Sequence, residues 1–139
     1  MSDLQAIAGA RIFDGHRWHD DAALLVEFGH VCGIVRADKV PANAQTVSLA
    51  GGMVVPGFID LQVNGGGGVL FNNAPTVDSI RTICRAHARF GTTALLPTLI
   101  TDNVAVNVAA TAAGKAAVQQ GVPGFIGLHR EGPHLSLAR

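Results

Sequence analysis

Residues Gly127 to Leu135 read Gly-Leu-His-Arg-Glu-Gly-Pro-His-Leu, a strand-like run that ends in a carboxylate and then turns on Gly132 and Pro133. Glu131 has an imidazole two residues before it, His129, and another three residues after it, His134. A carboxylate just beyond a buried strand, held by a rigid Gly-Pro turn, is a hard oxygen donor. It can bind Zn²⁺ or Fe²⁺ at about 2.0–2.2 Å with little ordering cost. The same residue equally suits a solvated loop, or an ion pair with Arg130 or Arg139, because one acidic residue does not define a site. His129 and His134 are candidate further ligands. For His129 a core or supporting role is expected, its ring directed differently from the Glu131 carboxylate.

A second group lies at Gln62, Asn64 and the glycines that follow to Gly68. Gln62 and Asn64 are neutral amides at alternate positions, so they share a strand face. There they could orient a water or a substrate carbonyl, or simply cap the strand end. Four consecutive glycines permit positive φ and close approach to a ligand, which makes an anion nest one expectation and a mobile loop the other. The run has neither the Lys-Ser/Thr of a P-loop nor the spacing of a dinucleotide fingerprint. His87 falls on the apolar face of a helix and is expected to be packed. His16 and His19 flank Trp18 in a hairpin, and Arg81, Arg85 and Arg89 recur every four residues as a solvated helix face.

The elements that must position these groups change character along the chain. Before Gly52 the pattern is of short antiparallel strands: Ala6 to Phe13, Ala22 to Glu27, Val31 to Val35 and Val47 to Leu49, with turns at Asp14-Gly15 and Phe28-Gly29. Residues 1–52 therefore predict part of a small β-sandwich. From Met53 to Val63 an almost continuous apolar run suits a strand buried on both faces. Thr76 can cap a helix that stops at Gly91, Thr92 to Ile100 forms the next strand, and Thr101 can cap an alanine-rich helix to about Gln120. Phe125 to His129 is the third strand.

Strand, helix, strand, helix, strand implies parallel strands, so residues 53–139 predict an α/β fold: the first three strands of an incomplete (β/α)8 barrel, with a doubly wound open sheet as the alternative. In either fold ligands gather beyond the carboxyl ends of the strands. That places Gln62 to Gly68, Pro97 to Asp102 and His129 to Leu135 on one face.

Composition excludes several partners. Ten basic and ten acidic residues cancel, which leaves no electrostatic case for nucleic acid or an anionic membrane. No apolar run nears the roughly 18 residues of a membrane span and the start lacks signal-peptide features, so a cytoplasmic chain is expected. Cys32 and Cys84 are isolated and are expected to be reduced, mostly buried thiols.

Four ordered motifs resemble the amidohydrolase superfamily, and more narrowly its N-acetylglucosamine-6-phosphate deacetylases. They are Val55-Pro-Gly-Phe-Ile-Asp60, Gln62-Val-Asn64 with its glycines, Gly91-Thr-Thr93 with Pro97-Thr98, and Gly127-Leu-His-Arg-Glu-Gly-Pro133. The resemblance runs from about Ala8 to the last residue. It implies a metal-bearing (β/α)8 barrel beside a small β-sandwich, and hydrolysis of an amino-sugar phosphate to acetate and the free amine. One divalent metal, zinc or iron, is implied, with Glu131 as its ligand. A homodimer is implied for the full-length protein.

Gln62-x-Asn64 stands where most amidohydrolases carry His-x-His, which is similar to the single-metal deacetylases. Arg130 and His134 are modest departures from the family pattern. The family's remaining metal ligands and its catalytic aspartate correspond to positions beyond Arg139. No catalytic residue is therefore expected within these 139 residues, and neither stable metal binding nor activity is expected of them alone. Another amidohydrolase acting on a cyclic amide or urea is an alternative that Gln62-x-Asn64 opposes. A non-catalytic fragment that complements a second polypeptide is another.

Overall fold

The structure, a computed structural model, describes residues 3–134 and Ser136. Residues through Pro56 form one compact unit and those from Gly57 a second.

Among its described residues the first unit contains seven strands: β1 (Gln5–Ala8), β2 (Arg11–Phe13), β3 (Trp18–His19), β4 (Ala22–Glu27), β5 (His30–Arg36), β6 (Gln45–Ser48) and β7 (Met53–Val54). They make a four-stranded sheet in the order β5-β4-β1-β6 and a three-stranded sheet in the order β3-β2-β7. The expected single strand from Ala6 to Phe13 is thus two. Gly9 breaks it at φ +86, where any Cβ would run into the Leu49 carbonyl, and the two halves enter different sheets. Between β4 and β5, Phe28 and Gly29 both have positive φ, 49° and 76°, the backbone of a two-residue type I′ hairpin.

Two expectations fail here. The run from Met53 to Val63 is not one strand, because Met53 and Val54 pair in parallel with Arg11 and Ile12 while the chain re-enters a sheet only at Phe58. Pro56 cannot donate to a ladder, which separates the two pieces. Cys32 is exposed rather than buried, since it lies on the edge strand β5, whose first three residues face solvent. Cys84 is buried, and burial pushes its thiol pKa up.

The second unit continues with β8 (Phe58–Val63), β9 (Gly65–Gly66), β10 (Val69–Leu70), helix α1 (Val77–Ala88), β11 (Thr92–Leu99), helix α2 (Val104–Gln119) and β12 (His129–Arg130). The sheet order is β12-β11-β8 and both pairings are parallel, as the alternation of strands and helices requires. Phe71, Ile80, Ile83, Cys84, Leu95, Leu99 and Ala110, Ala113 and Ala117 of α2 are part of its core.

Local chemistry explains the helices. Thr76 accepts a hydrogen bond from the Ser79 amide and caps α1, with Asp78 in the first turn. Asn103, not Thr101, caps α2, through a 3.1 Å bond from the Val106 amide. Ala110, Ala113, Gly114 and Ala117 are the buried face of α2, small enough that a Cβ on Gly114 would meet Leu128 at 2.7 Å.

The first parallel strand departs from expectation in burial. Within β8 Val63 is buried, whereas Phe58, Ile59 and Leu61 are each more than 60% exposed. The third strand is also shorter than expected. Phe125 makes an isolated bridge to Leu95, and regular pairing resumes only at His129, after Gly127 has taken φ +150.

Candidate functional site

Parallel pairing carries the ends of β8, β11 and β12 to one edge of the sheet, and the polar residues there come from three distant parts of the chain. Leu99 pairs with Arg130, and the Glu131 amide donates to the Leu99 carbonyl at 3.1 Å, which continues the ladder one residue past β12. Glu131 is exposed, yet its Oε1 accepts a 3.1 Å hydrogen bond from Gln62 Nε2 at the end of β8. The Gln62 backbone N–H donates to Asp60 Oδ1 at 3.1 Å. Gly132 follows Glu131 where a Cβ would collide with the Thr101 hydroxyl, and the Gly132–Pro133 peptide is cis. The Thr101 Oγ1 atom is buried without a hydrogen-bond partner.

Asn64 is exposed just beyond β8, and its carbonyl accepts from the Phe71 amide at 3.0 Å. The glycines after it do not form an unstructured loop. They make a small antiparallel hairpin of β9 and β10 that turns on Gly67 and Gly68, both with positive φ. Glycine is required there because the hairpin lies against α1. A Cβ on Gly66 would reach the His87 ring at 2.9 Å, and one on Gly67 the Thr82 methyl at the same distance. His87 Nε2 donates to the Gly65 carbonyl at 3.0 Å, so this histidine is a packing group. Of the expected arginine face, Arg81 bonds Asp78 at 2.8 Å and Gln120 at 3.1 Å, which ties α1 to the end of α2.

His129 and Glu131 are two residues apart, a spacing that would give them a common face on a continuous strand. The strand ends at Arg130, and the two side chains take different partners. His129 Nδ1 lies 3.2 Å from the hydroxyl of Thr98, the residue it pairs with on β11. Thr98 is completely buried. His134 is exposed.

Arg130 forms no ion pair with Glu131. Its guanidinium donates to Asn107 Oδ1 on α2 at 2.7 Å.

One residue of this edge, Asn72, is not marked by the sequence pattern. Asn72 accepts from the Ile100 amide and donates to the Ile100 carbonyl and to Asp102 Oδ2, each at 2.9 Å, and so fixes the end of β11. The Asn72 amide, and then the Asn103 backbone N–H, hold the Asp102 carboxyl below the usual carboxylate range. An Asn pair after a short apolar stretch carries no periodic signal that would have marked Asn72.

A zinc-type site needs about three protein ligands. Among the described residues no group of three or more His, Cys, Asp or Glu is gathered that could hold a metal ion. The edge supplies a carboxylate oriented by an amide.

No family model matches the chain. Over 99% of its length it is 43% identical to an N-acetylgalactosamine-6-phosphate deacetylase of Shewanella sp. (strain ANA-3), and it covers 36% of that protein. It is 32% identical, over 86% of its length, to an N-acetylglucosamine-6-phosphate deacetylase of Haemophilus influenzae, of which it covers 31%. The crystal structure of N-acetylglucosamine-6-phosphate deacetylase from Pasteurella multocida superimposes with a TM-score of 0.90 at 33% identity, over 97% of this chain and 36% of that one.

The chain has a mixed α/β fold and is similar, in sequence and in structure, to N-acetylglucosamine- and N-acetylgalactosamine-6-phosphate deacetylases. It spans about a third of the length of the relatives it matches. No helix among the described residues is long and apolar enough to cross a membrane.

Proposed function

We propose that these residues supply the first part of the active site of a metal-dependent N-acetylglucosamine-6-phosphate deacetylase, and that the 139 residues alone do not hydrolyse it. The observation that carries the reading is the Glu131 carboxylate at the carboxyl edge of three parallel strands, oriented by Gln62. Relatives named for this activity support it.

In this reading the second unit holds the first three strands of a (β/α)8 barrel, and the first unit is half of a small β-sandwich. Glu131 is one ligand of a single divalent cation, zinc or iron. Gln62, Asn64 and His129 line the same edge, and the cation's other ligands and the acid-base aspartate come from outside these residues. The whole protein is a cytoplasmic homodimer.

The decisive experiment compares the 139 residues alone with a graft in which they replace the matching third of the Haemophilus influenzae relative. Metal-dependent acetate release from N-acetylglucosamine 6-phosphate is expected for the graft and not for the chain alone, and Glu131→Ala should abolish it in the graft. An active graft carrying Glu131→Ala would refute the assignment of Glu131, and metal-dependent turnover by the chain alone would refute its incompleteness.

The 43% identity to the Shewanella protein favours a second reading, in which the sugar is the galacto epimer. The same replacement made in that relative and assayed with both epimers tests it.

A further inference from the structure

We infer that Thr98 is a positioning residue that selects the His129 tautomer with the ring proton on Nε2. Thr98 is fully buried, and the His129 ring is the one hydrogen-bond partner of its hydroxyl among the described residues. A hydroxyl has a single proton, and a buried donor left without an acceptor costs about 1–3 kcal/mol. If Nδ1 carried a proton and donated to Oγ1, the hydroxyl proton would have nowhere to go. Both groups are satisfied only when Oγ1–H donates to an unprotonated Nδ1, which leaves the ring proton on Nε2.

The sheet enforces the pairing. Thr98 and His129 are directly opposed in the parallel β11–β12 ladder, so their side chains leave the same face. The ring is half-buried, and Nε2 has no hydrogen-bond partner among the described residues. His129 therefore offers one N–H donor two residues from Glu131, suited to an oxygen acceptor such as an amide carbonyl or a sugar hydroxyl. The nature of that acceptor rests on the proposed deacetylase reading. The state of the ring does not, because it follows from the buried hydroxyl alone.

The test is long-range ¹H–¹⁵N correlation of the His129 ring in the full chain at about pH 8, where an ordinary imidazole is neutral. The expected spectrum shows a pyridine-like Nδ1 and a protonated Nε2. Thr98→Val should lose that preference and Thr98→Ser should keep it. An Nδ1–H tautomer in the unmodified chain, or an unchanged tautomer in a folded Thr98→Val, would overturn the inference. If Thr98→Val does not fold, the unmodified chain and Thr98→Ser still decide it. None of these readouts depends on catalysis, so an inactive graft leaves them intact.

Discussion

The Gln62 side-chain amide and the Glu131 carboxylate, 69 residues apart in the chain, meet at 3.1 Å. An amide N–H aimed at one carboxylate oxygen restrains the rotation of the other and leaves that one available. Partners of this kind are worth about 10–100-fold in metal affinity. Gln62→Leu in the active graft should therefore weaken zinc binding by about that factor in a competition titration. The pair is exposed, so thermal unfolding of the chain itself should shift by no more than about 1 kcal/mol.

Asn72 has a structural task at the same edge. Its side chain satisfies both backbone groups of Ile100. Asn72→Ala should cost about 1–3 kcal/mol in denaturant unfolding and should speed hydrogen exchange at the Ile100 amide.

Phe71 is the largest fully buried side chain in the structure. Phe71→Ala should destabilise the second unit by about 3–5 kcal/mol, through lost burial and the cavity it leaves. Ala110→Gly, on the small buried face of α2, should cost nearer 1 kcal/mol. Parallel urea titrations would rank the two.

The β2–β3 turn should show in the acid limb of stability. His19, then the backbone amides of Arg17 and His16, hold the Asp14 carboxyl far below the usual carboxylate range. A depressed carboxylate stabilises the fold above its unfolded pKa, about 3.9, and that contribution fades as pH falls toward the folded value. Asp14→Ala should thus be less stable than the unmodified chain at pH 7, with the difference narrowing below about pH 4. A gap that widened on acidification would contradict this.

The two thiols should differ in reactivity. Cys32 is exposed and Cys84 is buried with a raised pKa, so a thiol reagent in native buffer should titrate one group rapidly and the second only on unfolding.

Much of the fold was legible because local rules act within a few residues. The Thr76 cap, the turn at Phe28 and Gly29 and the parallel order of the three later strands follow from side-chain chemistry, turn geometry and connection handedness. Where expectation failed, a competing group was nearby or a contact was distant. Asn103 stands two residues after Thr101 and wins the cap of α2. Met53 and Val54 look continuous with Phe58 to Val63 until β2, some forty residues earlier in the chain, claims them.

The amino-acid order by itself determined that Glu131 would follow a strand beside a Gly-Pro turn, and that this strand would run parallel to two others, because alternating periodicity and crossover length are local properties. Tertiary structure decided which groups Glu131 and its neighbours would meet. The order β12-β11-β8 brings Gln62 to Glu131, places Thr98 opposite His129 and sends Arg130 to Asn107 instead of to a carboxylate. The physical reason is that a hydrogen bond between residues far apart in sequence exists only once a ladder has set the register, and register is a property of paired strands, not of either strand alone.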